Sequence, residues 1–301
     1  MKFKRRARRT GFHLLRLFAQ CVGRGGMQRL RTVGQACGDW HYRLTPGVRR
    51  GLNRQMRHAL RDHPQVAQAG QWLREAYRIN DWAVLELLAM HSGSVSLDDI
   101  SAACRVEDPD HLDQALSHGR GVVMLGMHMG NGVAMAVHLA SLGYPVAVVY
   151  REAGKIEPGF FRDGFESLGL EAIPAAPAAV GFRRMLKVLK DNRILFILMD
   201  QAMKDGGVTA QFLGKQMSMP PGPAKLVRRT GAAVVPALLE GVDPCWEFRM
   251  GQPVWLDPES ALEADVQNLT RIMQKHIEKR PQWWTWHQRR WSRYAFSDTA
   301  E

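Results

Sequence analysis

An apolar run at residues 121–127 leads directly into His128 and a glycine turn, and this segment constrains the fold most strongly. The run has the length and composition of a buried strand, and an alanine-rich helical stretch follows Gly132. Open α/β sheets carry their reactive groups at such strand ends. The segment therefore predicts an imidazole beside a helix N-terminus, where free N–H groups can bind an anion. The alternative is that His128 merely caps a strand.

Similar apolar runs alternate with amphipathic stretches along the rest of the chain. Strands are predicted at 122–127, 146–150, 194–199 and 232–239, and helices at 132–142, 160–168 and 180–192. This alternation predicts an α/β fold with a mixed, mostly parallel sheet flanked by helices. We divide the chain into a basic helical N-terminal region, residues 1–90, and a mixed α/β domain, residues 91–301.

Three of the predicted strands end in polar residues, His128, Arg151 and Asp200. The carboxyl ends of parallel strands lie at one edge of a sheet, so these side chains are expected to converge on one crevice. An imidazole, a guanidinium and a carboxylate together support general-base chemistry on an acceptor that bears phosphate. The alternative is that Arg151 and Asp200 simply pair with each other.

The positive charge is concentrated at the N-terminus. Sixteen of the 41 Lys and Arg residues, but only two of the 29 Asp and Glu residues, lie within the first 62 positions. The stretch 12–22 is too short to span a bilayer, which takes roughly 20 apolar residues. On a helix, one of its faces carries Leu14, Leu15, Phe18, Cys21 and Val22. This pattern favours an anionic membrane surface as partner; nucleic acid and a solubilising tail are the alternatives.

Several classes of site are excluded by what the sequence lacks. The four cysteines form no Cys-x-x-Cys pair, which argues against a disulfide framework or a zinc site and fits a reducing cytoplasm. Phosphate-binding loops, dinucleotide fingerprints, nucleophile elbows and His-Glu-x-x-His motifs are also missing. We therefore expect no metal and no bound cofactor, and nothing in residues 95–301 indicates nucleic-acid binding.

The residues His128-Met129-Gly130-Asn131 resemble the His-x-Gly-Asn core of the bacterial lipid A biosynthesis (lauroyl/myristoyl) acyltransferase family. Further segments resemble that family's motifs in the same order, at 149–151, 199–201, 212–215, 219–224, 230–236 and 281–291. The resemblance runs from about residue 95 to residue 294. It implies a glycerolphosphate-acyltransferase-like fold and makes residues 91–301 an acyltransferase domain.

The resemblance also implies a reaction. A fatty acyl group would pass from acyl carrier protein, without a cofactor, to a hydroxyl of a membrane glycolipid at the cytoplasmic face of the inner membrane. His128 would be the general base, and Arg151 would engage the acceptor head group. The glycine turn would supply N–H donors for the oxyanion. The other residues assigned to substrate binding or positioning are Gly130, Asn131, Gln201 and Arg290. In place of the family's membrane-spanning N-terminal helix stands the basic segment, which implies peripheral attachment.

The chain departs from the family where a carboxylate normally orients the histidine. The family pattern is His-x4-Asp/Glu, but this chain has Val133 at that position, and Gly132 stands where a tryptophan is usual. Asp200 is the first candidate for a replacement acid, and Glu152 and Glu240 are less favoured. Alternatively the histidine acts alone and slowly, or the protein has lost acyl transfer and only binds lipid. The small residues at 132 and 133 are also predicted to open space for a different acceptor.

The C-terminal segment contains four tryptophans, Trp283, Trp284, Trp286 and Trp291. They suit either core packing or the headgroup layer of a membrane, and we expect Trp286 and Trp291 to be buried. His287, together with Arg289 and Arg290, is expected either to bind phosphate or to form a solvated basic face.

Overall fold

The computed structural model describes residues 2–152 and 156–287, with side chains from residue 10 onward. Four long helices precede the sheet: α1 (Lys2–Gly23), α2 (Gly26–Leu44), α3 (Pro46–Ala59) and α4 (Ala69–His91). Two glycines bring α2 unusually close to α4. A Cβ on Gly34 would lie 2.5 Å from Trp82 Cα, and one on Gly38 would lie 2.5 Å from Arg78 Cα. Larger residues at either position would push the two helices apart.

Seven further helices accompany the sheet within the described residues. They are α5 (Leu97–Ala102), α6 (Asp110–Leu116), α7 (Gly132–Ser141), α8 (Phe160–Ser167), α9 (Ala178–Lys190), α10 (Gly222–Thr230) and α11 (Leu262–Lys279). The strands are β1 (Cys104–Glu107), β2 (Val122–Gly126), β3 (Val146–Tyr150), β4 (Glu171–Pro174), β5 (Ile194–Leu198), β6 (Val208–Phe212), β7 (Lys215–Met219), β8 (Ala233–Gly241) and β9 (Trp246–Met250). The predicted mixed α/β architecture is confirmed.

Seven strands form one sheet in the order β1-β9-β8-β2-β5-β3-β4, and β6 and β7 form a separate hairpin. Within the large sheet only the β8–β9 pair is antiparallel. Every residue of β2 is buried, because elements cover both of its faces. The neighbour of β2 on one side is β5, so the residues that follow these two strands meet at the same edge.

The four predicted strands are confirmed, with ends shifted by at most two residues. The sequence analysis missed β1, β4, β9 and the β6–β7 hairpin. Two of these strands have only four residues, and the hairpin strands alternate buried and open positions where no long apolar run marks them. Periodicity alone does not distinguish a strand from a helix in segments as short as these.

Helix α1 is packed onto the protein along one side and carries an open apolar face on the other. Ala19 and Val22 are buried, whereas Leu14, Phe18 and Cys21 are exposed. The predicted apolar face is therefore correct except for Val22, which belongs to the inward side. Among the described residues, no helix combines the length and the apolar content that a bilayer crossing requires.

Candidate active site

His128 and Asp200 form a hydrogen-bonded pair at the carboxyl edge of the sheet. His128 lies two residues beyond β2, and Asp200 lies two residues beyond the adjacent strand β5. The distance from His128 Nδ1 to Asp200 Oδ1 is 2.7 Å. The His128 backbone N–H also donates to Asp200 Oδ2 at 2.8 Å. Both the ring and the main chain of the histidine are therefore fixed by one carboxylate.

The carboxyl group of Asp200 is completely buried and faces only donors. Trp284 Nε1 donates to its Oδ2 at 2.7 Å, in addition to the two bonds from His128. Burial raises the pKa of Asp200, but the charge interaction with His128 and these hydrogen bonds outweigh burial and hold the pKa below its usual value. Asp200 is therefore a carboxylate at neutral pH.

The carboxylate determines which nitrogen of His128 is free to act as a base. An ionised Asp200 only accepts hydrogen bonds, so Nδ1 carries the proton and Nε2 keeps its lone pair. Gln201 Nε2 lies 2.9 Å from that atom and donates to it. Some 27% of the His128 side chain is exposed. A hydroxyl that displaced the Gln201 amide would meet a correctly oriented general base.

Buried side chains pack against the turn that follows His128 and restrict its conformation. Gly130 has φ +59°, in the left-handed region, and a Cβ there would lie 2.8 Å from Trp246 Cζ3. Asn131 is buried, and its Oδ1 accepts from Ala134 N at 3.1 Å, which caps α7. Its Nδ2 donates to Glu86 at 2.8 Å. The structure thus places Asn131 behind the turn, where its side chain connects α7 to Glu86.

Sequence reasoning missed two residues that the structure brings to this region, Glu86 and Trp284. Glu86 lies on the buried face of α4 between Leu85 and Leu88, and an acid among core leucines was the available signal. Trp284 was noted only as part of a cluster, and its indole reaches Asp200 across 84 residues. The backbone reinforces this contact, because Thr285 N donates to His128 O at 2.9 Å.

The structure does not bring Arg151 to the histidine. It follows β3, which is separated from β2 by β5, and its side chain is exposed. The alternative of an Arg151–Asp200 ion pair is wrong, because the partners of Asp200 are His128 and Trp284. The other two candidate acids are engaged elsewhere. Glu152 accepts from Gly159 N at 3.1 Å, and Glu240 pairs with Lys279 at 3.0 Å.

The ring of Phe196 lies beside Gly132. A Cβ on Gly132 would lie 2.9 Å from Phe196 Cζ, so the glycine leaves room for an aromatic ring of β5. An opening for a different acceptor at positions 132 and 133 stays a prediction.

In the C-terminal segment, Trp286 is buried as predicted, and Trp284 is buried as well. His287 packs against Tyr77, with ring centroids 4.0 Å apart, and burial lowers its pKa to about 4. A neutral imidazole at this position argues against phosphate binding by His287. Arg289, Arg290 and Trp291 lie outside the described residues. Within 2–152 and 156–287 no group of His, Cys, Asp and Glu side chains is arranged to hold a metal ion.

Comparison with known proteins identifies the family. The model of the bacterial lipid A biosynthesis acyltransferase family matches residues 35–293, and the chain belongs to this family. A phosphatidylinositol mannoside acyltransferase of Mycolicibacterium smegmatis is 31% identical over 214 residues, which cover 69% of this chain and 62% of that protein. Proteins of the same description from two Mycobacterium tuberculosis strains are 29% identical over 187 residues, 60% of this chain and 58% of theirs. The matches thus span about three fifths of these relatives.

Proposed function

We propose that this protein transfers a fatty acyl group from the thioester of an acyl carrier protein to a hydroxyl of a membrane glycolipid. The observation that carries the proposal is the His128–Asp200 pair, which leaves the lone pair of His128 Nε2 facing the Gln201 amide at the carboxyl edge of the sheet. Family membership supports acyl transfer, and the names of the relatives support a glycolipid as the acceptor.

In the proposed reaction the acceptor hydroxyl displaces the Gln201 amide and gives its proton to His128 Nε2. The hydroxyl oxygen attacks the thioester carbonyl, so a C–O bond forms and negative charge develops on the carbonyl oxygen. N–H groups of the turn Gly130–Gly132 and the first turn of α7 stabilise that oxyanion, because the first N–H groups of a helix have no partner within it. The C–S bond then breaks, and the imidazolium returns its proton to the departing thiolate.

Asp200 supplies the carboxylate that Val133 cannot supply. As a buried carboxylate on Nδ1 it selects the tautomer and stabilises the imidazolium that forms during attack. The competing function is lipid binding without catalysis, and Val133 is the observation that favours it. The paired acid weighs against that alternative, because a protein that only binds lipid has no need for an oriented base.

The decisive experiment measures acyl transfer from radiolabelled acyl carrier protein thioesters to a total membrane-lipid extract. Wild type is compared with His128→Ala and Asp200→Asn. The matched control is Asp265→Asn, a buried acid on α11 that pairs with Arg228 at 2.7 Å. We expect a labelled lipid in wild type and control, and its loss in both site variants. Lipid binding without product in wild type would favour the non-catalytic function. Acyl-coenzyme A in a parallel assay tests the choice of donor.

We also propose peripheral attachment at the cytoplasmic face of the inner membrane, through the open face of α1. Leu14 and Phe18 are 61% and 43% exposed there, on a segment rich in arginine. Basic amphipathic helices of this kind lie in the headgroup layer of anionic bilayers. Leu14→Ser with Phe18→Ser should reduce binding to anionic vesicles. The control Leu142→Ser, an equally open leucine beyond α7, should leave it unchanged, and equal binding by all three proteins would refute the proposal.

A further inference from the structure

Glu86 of α4 is a buried acid surrounded by three hydrogen-bond donors. Its Oε2 accepts from Asn131 Nδ2 and from Trp246 Nε1, each at 2.8 Å, and its Oε1 accepts from Trp82 Nε1. The residue is only 1% exposed. The two indoles stack with ring centroids 3.7 Å apart, so they form a rigid wall around the carboxyl group.

One oxygen of Glu86 connects two supports of the turn that follows His128. Asn131 caps α7 through its Oδ1 and reaches Oε2 through its Nδ2. Trp246, which donates to the same oxygen, lies directly beneath Gly130, where a Cβ would collide with its ring. A change at Glu86 therefore acts on both flanks of the residues that carry the oxyanion N–H groups in the proposed reaction.

The donor set fits the ionised form of Glu86. All three partners are N–H donors, so a proton on the carboxyl group would find no acceptor among them, whereas the ionised form accepts all three bonds. Burial raises the pKa of Glu86 to about 7, and the bonds from Asn131, Trp246 and Trp82 limit that rise. Among facing titratable groups, Arg31 of α2 lowers the pKa, and the Cys104 thiol of β1 is neutral because burial raises its own pKa.

A buried charge is a costly way to hold a core together, because an apolar side chain of similar volume is often as stabilising or better. Groups with strongly shifted pKa values gather at functional sites. Glu86 lies directly behind the turn that follows His128, so a functional role for its carboxyl group would be to support that turn.

We propose that Glu86 is a positioning residue for acyl transfer, whose carboxylate holds Asn131 and Trp246 and thereby aligns the Gly130–Gly132 turn for the oxyanion. This inference rests on the proposed function. It implies that kcat rises as Glu86 loses its proton, because the ionised carboxyl group holds both supports of the turn.

The test is Glu86→Gln, which keeps the shape of the side chain but replaces one acceptor oxygen with an N–H donor. We expect kcat to fall about 10- to 100-fold, as small misplacements of catalytic groups do, with both KM values nearly unchanged. The kcat–pH profile of wild type should contain a step near pH 7 that is missing in Glu86→Gln. Equal pH profiles of the two proteins, or a wild-type kcat in the variant, would overturn the inference.

A second variant separates positioning from a loss of folding. Asn131→Asp keeps the cap acceptor of α7 but faces Glu86 with a like charge, so it should also lower kcat. In the double variant, the amide introduced by Glu86→Gln can donate to the carboxylate introduced at position 131, and we expect kcat to recover part of the loss. Additive losses, or losses matched by the fraction of unfolded protein, would contradict a positioning role.

A readout without turnover keeps this inference distinct from the proposed function. Trp82 and Trp246 touch the carboxylate, so tryptophan fluorescence of wild type should titrate with a midpoint near pH 7 that Glu86→Gln lacks. Wild-type activity equal to that of His128→Ala would refute acyl transfer instead. Absence of the fluorescence transition would refute the titrating anchor whatever the activity.

Discussion

The site and its support contain two buried carboxylates with similar hydrogen bonds and opposite behaviour. Asp200 and Glu86 are each about 1% exposed, and each accepts from an indole N–H. Burial acts in the same direction on both, yet the pKa of Asp200 is lowered and that of Glu86 is raised to about 7. Asp200 faces an imidazole that can carry positive charge, whereas the hydrogen-bond donors around Glu86 are all neutral. The neutral donors offset the desolvation of the Glu86 carboxylate only in part, whereas His128 and the other donors more than offset the desolvation of Asp200.

The comparison assigns the two acids different tasks. Asp200 stays charged across the neutral range, which suits its proposed role of keeping His128 in one tautomer during acyl transfer. Glu86 changes charge near neutrality, which suits a support that responds to pH. Both carboxylates depend on aromatic residues from distant parts of the chain, so the tryptophans are as much a part of the site as the acids.

The largest effect is expected from Asp200→Asn. An asparagine amide can donate to Nδ1 and stabilise the wrong tautomer of His128, so kcat should fall by about 10³–10⁴-fold, comparable with the loss of this role in serine proteases. Steady-state rates with acyl carrier protein thioesters measure the change, with Asp265→Asn as the control. Retention of a tenth of the wild-type kcat would show that Asp200 does not orient the base.

The next effect is the pH dependence of the free energy of unfolding. Glu86 and Asp200 contribute to it with opposite signs. The raised pKa of Glu86 means that the folded protein binds this proton more tightly than the unfolded chain. Relative to Glu86→Gln, wild type should lose up to about 3 kcal/mol of unfolding free energy as pH rises from about 4.5 to above 7. Asp200, whose pKa is lowered, stabilises the fold above pH 3.8, and that contribution is lost as pH falls through its folded pKa.

Urea unfolding of wild type and Glu86→Gln at pH 5 and pH 8 measures this difference. A difference in unfolding free energy that does not change between the two pH values would show that Glu86 does not titrate in the folded protein.

A smaller effect is expected from Trp284→Phe. The substitution keeps an aromatic ring but removes one of the donors to Asp200, so the pKa of Asp200 should rise. A hydrogen bond to a charged group contributes about 1.5–3 kcal/mol, so we expect kcat to fall about tenfold or somewhat more. The matched control is Trp283→Phe, because Trp283 is half-buried on the same segment. Equal activity of the two variants would show that the hydrogen bond from Trp284 to Asp200 does not contribute to the rate.

The smallest effect is expected from Val133→Glu, which restores the acid of the family pattern. His128 Nδ1 is already bonded to Asp200 at 2.7 Å, so a second carboxylate has no vacant ring nitrogen to orient on that side. The rate should change less than about twofold at pH 7.5. A large gain would mean that Asp200 is a poor substitute and that the natural protein is a weakened catalyst.

The residues around His128 show which contacts the sequence could predict and which it could not. Asp200 was the first candidate to replace the acid missing at Val133, and the strand ends placed it at the same edge as His128 because parallel strands share an edge. The exposed Arg151 illustrates the limit of that argument, since a common edge does not specify which strands are neighbours. Phe196 shows the same limit, because its ring lies beside Gly132 but belongs to another strand.

The sequence by itself determined the local structure: the buried strands β2, β3, β5 and β8, the helices between them, and the presence of polar residues at the strand ends. Continuous apolar runs and helical periodicity report which face of each element is buried, and that information is local. Only the tertiary structure decided which partners meet, because the bonds that Asp200 accepts from His128 and Trp284 span 72 and 84 residues. The bonds that Glu86 accepts from Asn131 and Trp246 span 45 and 160 residues. Strand order and helix packing bring such groups together, and no periodicity along the chain records them.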